Sequence, residues 1–169
     1  MALVMEGPYD TITVQQILDR ANVGRSTFYT HFQDKDELLM WGTEHLKTDL
    51  ARSDRRTATR STDRLIQFGR TMFEHANGYR KVYRQLVTSP VWPHLRQRIH
   101  NIIAELVRTE LKHERLKTKM PRELFVHYIA STLMTVLTWW IDHNSALSPE
   151  EIDEVFRSLV SPAIRSSLA

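Results

Sequence analysis

The residues best suited to touching a partner lie in one short run, Arg25-Ser26-Thr27-Phe28-Tyr29-Thr30-His31, followed by Lys35. On a helix Phe28 and Phe32 are four apart and face inward together, which turns Ser26 and Thr30 outward. Arg25 falls in the first turn, and Thr27 and Tyr29 flank the outward face. Short hydroxyls and one arginine at the start of a helix are the groups that reach base edges in a DNA major groove. Lys35 is different in kind. A cation in the first turn of a helix opposes the helix dipole, and a phosphate docked there would reverse the sign. Asp36 and Glu37 beside it work against that arrangement.

Two other groupings have spacings that could carry chemistry. Glu110 with His113 has the i, i+3 spacing of carboxylate-bridged helical bundles, and Glu123 with His127 shares a helix face at i, i+4. A dinuclear site needs two Glu-x-x-His units with further carboxylates, and the sequence supplies one, so no metal or other cofactor is expected. The absence of cysteine excludes disulfides, thiolate metal sites and cysteine redox sensing. No nucleophile elbow, phosphate loop or paired-carboxylate motif organises the Ser, His and acidic residues, so no enzyme is expected. Phe68, Met72, Phe73, Tyr83, Trp92, Phe125, Tyr128 and Trp139 are candidates to line a pocket for a small-molecule effector, with plain core packing as the alternative for each.

The elements that must position these residues are helical almost throughout, and no strand alternation or internal repeat is evident. Thr13 and Gln16 form a capping box ahead of Val14, Ile17, Leu18 and Ala21, and Asn22 ends that helix. A second helix is predicted from Arg25 to Phe32. Asp34 with Glu37 is a second capping box, opening a helix towards Leu50. The polar run 52–61 reads as a hinge, Thr62 as a cap, and Asn77-Gly78 as a stop. Further helices are predicted at 79–87, from His94 to near Lys117, and from Pro121 to about Asp142. Ser148-Pro149-Glu150-Glu151 is a strong start signal for a last helix. The fold class is therefore all-α, with a helix-turn-helix head at 1–50 and a helical effector-binding and dimerisation body at 51–169.

Charge is distributed unevenly along the chain. Counting Lys and Arg against Asp and Glu gives −4 for residues 1–50, +10 for 51–120 and −3 for 121–169. The basic surplus thus lies outside the candidate reader. The segment Leu124–Ile141 has eighteen residues with no formal charge, the lower limit for a membrane span, but His127, Ser131, Thr132, Thr135 and Thr138 interrupt it. A buried helix is the expectation, with no membrane partner. The first residues lack the basic region of a signal peptide, and a cytoplasmic location is expected. A helix so apolar has no face for water. Pairing it and the last helix with their copies in a second subunit would bury it, with Leu133, Val136, Leu137, Trp140, Val155, Phe156 and Leu159 as candidates for the interface.

Thr13-Val14, Ile17, Ala21-Asn22-Val23, Arg25 through Tyr29, His31-Phe32 and Lys35-Asp36-Glu37-Leu38-Leu39 closely resemble the DNA-binding signature of the TetR family of bacterial repressors. The resemblance implies a homodimer, an effector pocket in each helical body and a palindromic DNA operator released on effector binding. By matching position it implies that Arg25, Ser26 and Thr30 approach bases, and that Thr27, Tyr29, His31 and Lys35 mostly hold phosphates. Gly24 stands where the family often has Ser, so a side-chain cap on the recognition helix is missing. Only Ala2 to Met5 precede Gly7-Pro8-Tyr9, where the family has a full first helix, often after a basic arm. That shortening implies weakened DNA affinity, because phosphate neutralisation supplies much of it. The expected function is a ligand-responsive repressor. The alternatives are a helical sensor or structural dimer that has lost DNA binding and, further off, a helical-bundle metalloprotein.

Overall fold

The structure is a computed structural model that describes residues 2–52, 61–112, 114–116 and 120–168. Helices account for the fold, and among the described residues β pairing is limited to one isolated bridge, Leu116 to Leu168. The head holds α1 (Ala2–Glu6), a 3-10 turn at Tyr9–Thr11, α2 (Val14–Ala21) and α3 (Arg25–His31). A long helix, α4 (Lys35–Arg52), leaves the head and enters the body. The body comprises α5 (Ser61–Ile66), α6 (Phe68–Gly78), α7 (Arg80–Val87), α8 (Trp92–Leu111), α9 (Arg122–Asp142) and α10 (Pro149–Ser167). Most of the run 52–61 expected as a hinge lies outside the described residues, as does His113.

The helix signals act locally, as expected, with two shifts. Thr13 accepts from the Gln16 amide at 3.2 Å while Gln16 Oε1 accepts from the Thr13 amide at 2.8 Å, and Asn22 closes α2 in the left-handed region at φ 52°. Ser148 and Glu151 form the same reciprocal box on α10. At α4 the box is displaced: Asp34 accepts from the Glu37 amide at 2.8 Å, but Glu37 reaches back one residue further, to the Gln33 amide at 2.6 Å. The helix expected from His94 opens two residues earlier, at Trp92-Pro93, since proline lacks only an amide hydrogen that the first turn leaves unpaired anyway.

One continuous apolar core runs from the head, through Val4, Tyr9, Ile12 and Leu39, along α4 at Leu46 and Leu50, into the body. Its centre is α9. This helix is long and apolar enough to cross a membrane by length and composition, yet 56% of its most apolar window is buried against the rest of the body. Leu133, Val136, Leu137 and Trp140 of α9 and Phe156 of α10 are all buried inside the protomer. They therefore offer no surface to a second subunit in this conformation. Trp140 stands edge-on to Phe73 at 5.9 Å and donates from Nε1 to the Leu147 carbonyl at 2.9 Å. The Arg80 guanidinium lies over its ring at 4.4 Å and donates to the Trp140 and Ser145 carbonyls, closing the last turn of α9.

What α9 and α10 leave to solvent is a different stripe. Leu124 (58% exposed), Tyr128 and Trp139 on α9 align with Val155 and Leu159 (51% exposed) on α10, and the Tyr128 hydroxyl donates to the Leu159 carbonyl at 3.1 Å. An all-round apolar helix has two faces to bury, and its periodicity does not say which meets its own body.

Candidate nucleic-acid interface and effector cavity

α3 owes its position to Phe28, which is buried and stacks edge-to-face on Tyr29 at 5.3 Å and at a tilt on Phe32 at 5.6 Å. That anchoring turns the polar side outward. Arg25, Ser26, Thr27, Tyr29, Thr30 and His31 are all exposed. Arg25 lies 5.8 Å from the Tyr29 ring centroid, and the Thr30 hydroxyl donates to the Ser26 carbonyl at 2.9 Å, leaving its oxygen lone pairs outward. Gly24 is the N-cap of α3 with extended backbone and no side-chain cap bond. The uncapped amides at this helix start can serve a phosphate.

Lys35 sits elsewhere in the scheme. Its ammonium donates to the carbonyls of Tyr9, Asp10 and Ile12 at 2.9, 3.0 and 2.8 Å, and it lies 4.7 Å from the Tyr9 ring centroid. An ammonium has three donors, and all three are spent inside the head. The adverse helix dipole that drew attention to Lys35 is offset by carbonyls, not by a docked phosphate. Tyr9 completes the clamp by donating its hydroxyl to Asp36 at 2.5 Å; burial and the neighbouring Asp36 carboxylate push the Tyr9 phenol far above its ordinary pKa, so it stays a donor. The Lys35 contacts span 23 to 26 residues, so nothing local in the sequence signals them.

The head is tied to the body through side chains and through the packing of α1 against α7 as well as through α4. Ser89, in the turn between α7 and α8, donates to Asp10 at 2.5 Å, and Arg98 of α8 donates to Thr43 at 2.8 Å and pairs with Glu44 on α4.

Beneath α4, a cavity of about 320 Å³ lies between that helix and α6, α7 and α8. Of the eight expected pocket residues, Tyr83 lines it. Phe68, Met72, Phe73 and Phe125 are packed in the solid core, Trp92 is half-buried against that core, and Tyr128 and Trp139 stand on the exposed stripe. The walls the sequence reading missed include His45, Asp49, His75 and Tyr79. His75, Tyr79 and Tyr83 recur at four-residue spacing, which is a usable signal; Asp49 meets them only through the fold. Burial holds the His75 imidazole below its usual pKa although Asp49 acts in the opposite sense, so it is neutral at pH 7.

A second cavity, about 340 Å³, lies within the head between α1, α2 and α4. Its charged linings are committed: Arg20 pairs with Glu6 at 2.8 Å, and Lys35 is held as above. The cavity under α4, by contrast, carries Asp49, which makes no hydrogen bond or ion pair among the described residues. Of the metal-type pairs, Glu123 is bound by Arg108 at 3.0 and 2.8 Å, and His127 stacks on His100 at 5.3 Å.

A helix-turn-helix with an outward polar face, carried on a long helix that enters a helical body, is the architecture of a DNA-binding transcriptional regulator. Residues 63–162 match the transcriptional regulator C-terminal region TetR_C_8, and residues 1–40 match the bacterial regulatory proteins of the tetR family. The chain belongs to the TetR family. It is 23% identical over 167 residues to the uncharacterized HTH-type transcriptional regulator YxbF of Bacillus subtilis (strain 168), covering 95% of this chain but 42% of that protein's length. Among solved structures, a TetR transcriptional regulator from Streptococcus agalactiae 2603V superposes with a TM-score of 0.66 at 23% identity, covering 94% of this chain and 87% of the other. The dihydroxyacetone kinase operon activator DhaS superposes with a TM-score of 0.70 at 17% identity, covering 99% and 93%. These likenesses carry the fold.

Proposed function

We propose that this protein is a ligand-responsive transcriptional repressor acting in the cytoplasm as a homodimer on a palindromic DNA operator. The observation that carries the reading is the outward face of α3, where six polar or amphipathic side chains from Arg25 to His31 are exposed around one buried anchor, Phe28. Arg25, Ser26 and Thr30 read base edges, and Thr27, Tyr29 and His31 hold phosphates. The exposed stripe of Leu124, Tyr128, Trp139, Val155 and Leu159 supports pairing with a second copy as a four-helix interface. An effector in the cavity under α4 bears on the helix that carries the head and on the turn that holds Asp10 through Ser89. Repacking there changes the spacing of the two heads, which is how occupancy releases DNA.

The test is selection of binding sites from random duplexes with the full chain. An enriched inverted repeat is expected. Arg25→Ala should then alter the preferred base at one position per half-site, costing about 1–3 kcal/mol there. Tyr29→Ala should weaken binding to every sequence alike. Failure to enrich any sequence would sink the reading and favour a sensor dimer without DNA binding.

A further inference from the structure

The lining of the cavity under α4 has a charge character that narrows its ligand. Among the described residues no Lys or Arg lines it, and its single carboxylate is Asp49. Asp49 makes no hydrogen bond or ion pair among the described residues. The nearby arginines are committed elsewhere: Arg80 to the end of α9, Arg84 to Asn144, and Arg98 to Thr43 and Glu44. Three aromatic rings share the lining with Asp49. The His75 ring lies 4.9 Å from Tyr79 and 6.3 Å from Tyr83, so two phenol rings and a neutral imidazole cluster in the lining. The rest of the lining is mostly apolar, with Leu86, Leu95 and Ile99, and adds the polar Thr43 and His45.

We infer that this cavity binds a small organic cation, an amine with a compact apolar or aromatic body, in preference to an organic acid. The inference rests on the effector-site reading above. An ammonium group meets one carboxylate and a cluster of aromatic rings, each of which attracts it. A carboxylate ligand meets Asp49 as a like charge and finds no Lys or Arg among the described residues to offset its loss of water. A cavity of about 320 Å³ is at the small end for ligand sites, which limits the occupant to roughly one ring with a short chain.

The experiment is isothermal titration calorimetry on the full chain at pH 7.5 with three probes of one shape: 2-phenylethylamine, 2-phenylethanol and phenylacetate. The amine is expected to bind at least about tenfold more tightly than either of the others. Asp49→Asn, a change at an exposed side chain, should erase that preference while leaving alcohol binding unchanged. Leu86→Trp adds bulk to the cavity wall and should abolish binding of all three; Gly42→Phe, at a lining position where an added Cβ would meet nothing within 4 Å, is a second obstruction. Equal or tighter phenylacetate binding, or an amine preference that survives Asp49→Asn, would overturn the cation inference and leave the effector site standing, provided an obstructing variant still blocks binding. Binding of no probe, or binding that survives both obstructions, would overturn the effector-site reading and the inference with it.

Discussion

Lys35→Met is expected to lower the stability of the head by about 2–3 kcal/mol, because three carbonyls lose a charged donor at once. Methionine keeps the apolar stem, so the loss isolates the ammonium. Amide hydrogen exchange measures it directly: protection in the 3-10 turn at Tyr9–Thr11 and in α2 and α3 should fall, while α9 and α10 are unchanged. DNA affinity should fall with it, since α3 is aimed by the elements that Lys35 ties together. The salt dependence distinguishes this account from a phosphate contact. A lost phosphate contact would reduce the log–log salt slope by about one with stability intact. A lost clamp leaves the slope alone.

The second large effect separates the body's core from its outer stripe. Trp140→Ala is expected to cost about 3–5 kcal/mol of protomer stability, the range for removing a fully buried large aromatic. Beyond the void, it strips Arg80 of its ring partner and leaves the Leu147 carbonyl without its donor. Leu159→Glu should behave in the opposite way. Its side chain is exposed, so each protomer keeps its fold by circular dichroism, while sedimentation velocity shifts from a pair to a single chain as the charge enters the proposed interface. A dimer that survives Leu159→Glu and also Val155→Glu would remove this stripe as the interface.

These two cases also mark how far the sequence could be read. The caps at Thr13, Asn22 and Ser148 were legible because each partner lies within a few residues, and backbone geometry does the rest. The polar face of α3 was legible for the same reason: one buried ring fixes which way its neighbours point. Lys35 was singled out correctly as anomalous, but its partners lie in another element, and only the fold brings the Tyr9–Ile12 carbonyls to its ammonium. On α9 the apolar character was plain and its orientation was not. Trp139 and Trp140 are adjacent, and one faces solvent while the other is fully buried. The cavity was the least legible part. Its walls come from four helices, and the expected aromatic residues fell mostly into the close-packed core, where apolar side chains belong unless a polar group keeps space open beside them.

The central claim is that two copies of this chain present α3 to two half-sites at a fixed distance. The most direct test is fluorescence anisotropy of the full chain on its selected inverted repeat, against the same repeat with half a helical turn, about five base pairs, inserted at the centre. The account predicts saturation of the intact repeat at two chains per duplex, and a large loss of affinity after the insertion, because the heads then face opposite sides of the DNA. Equal affinity for both duplexes, or saturation of the intact repeat at one chain per duplex, would contradict that arrangement.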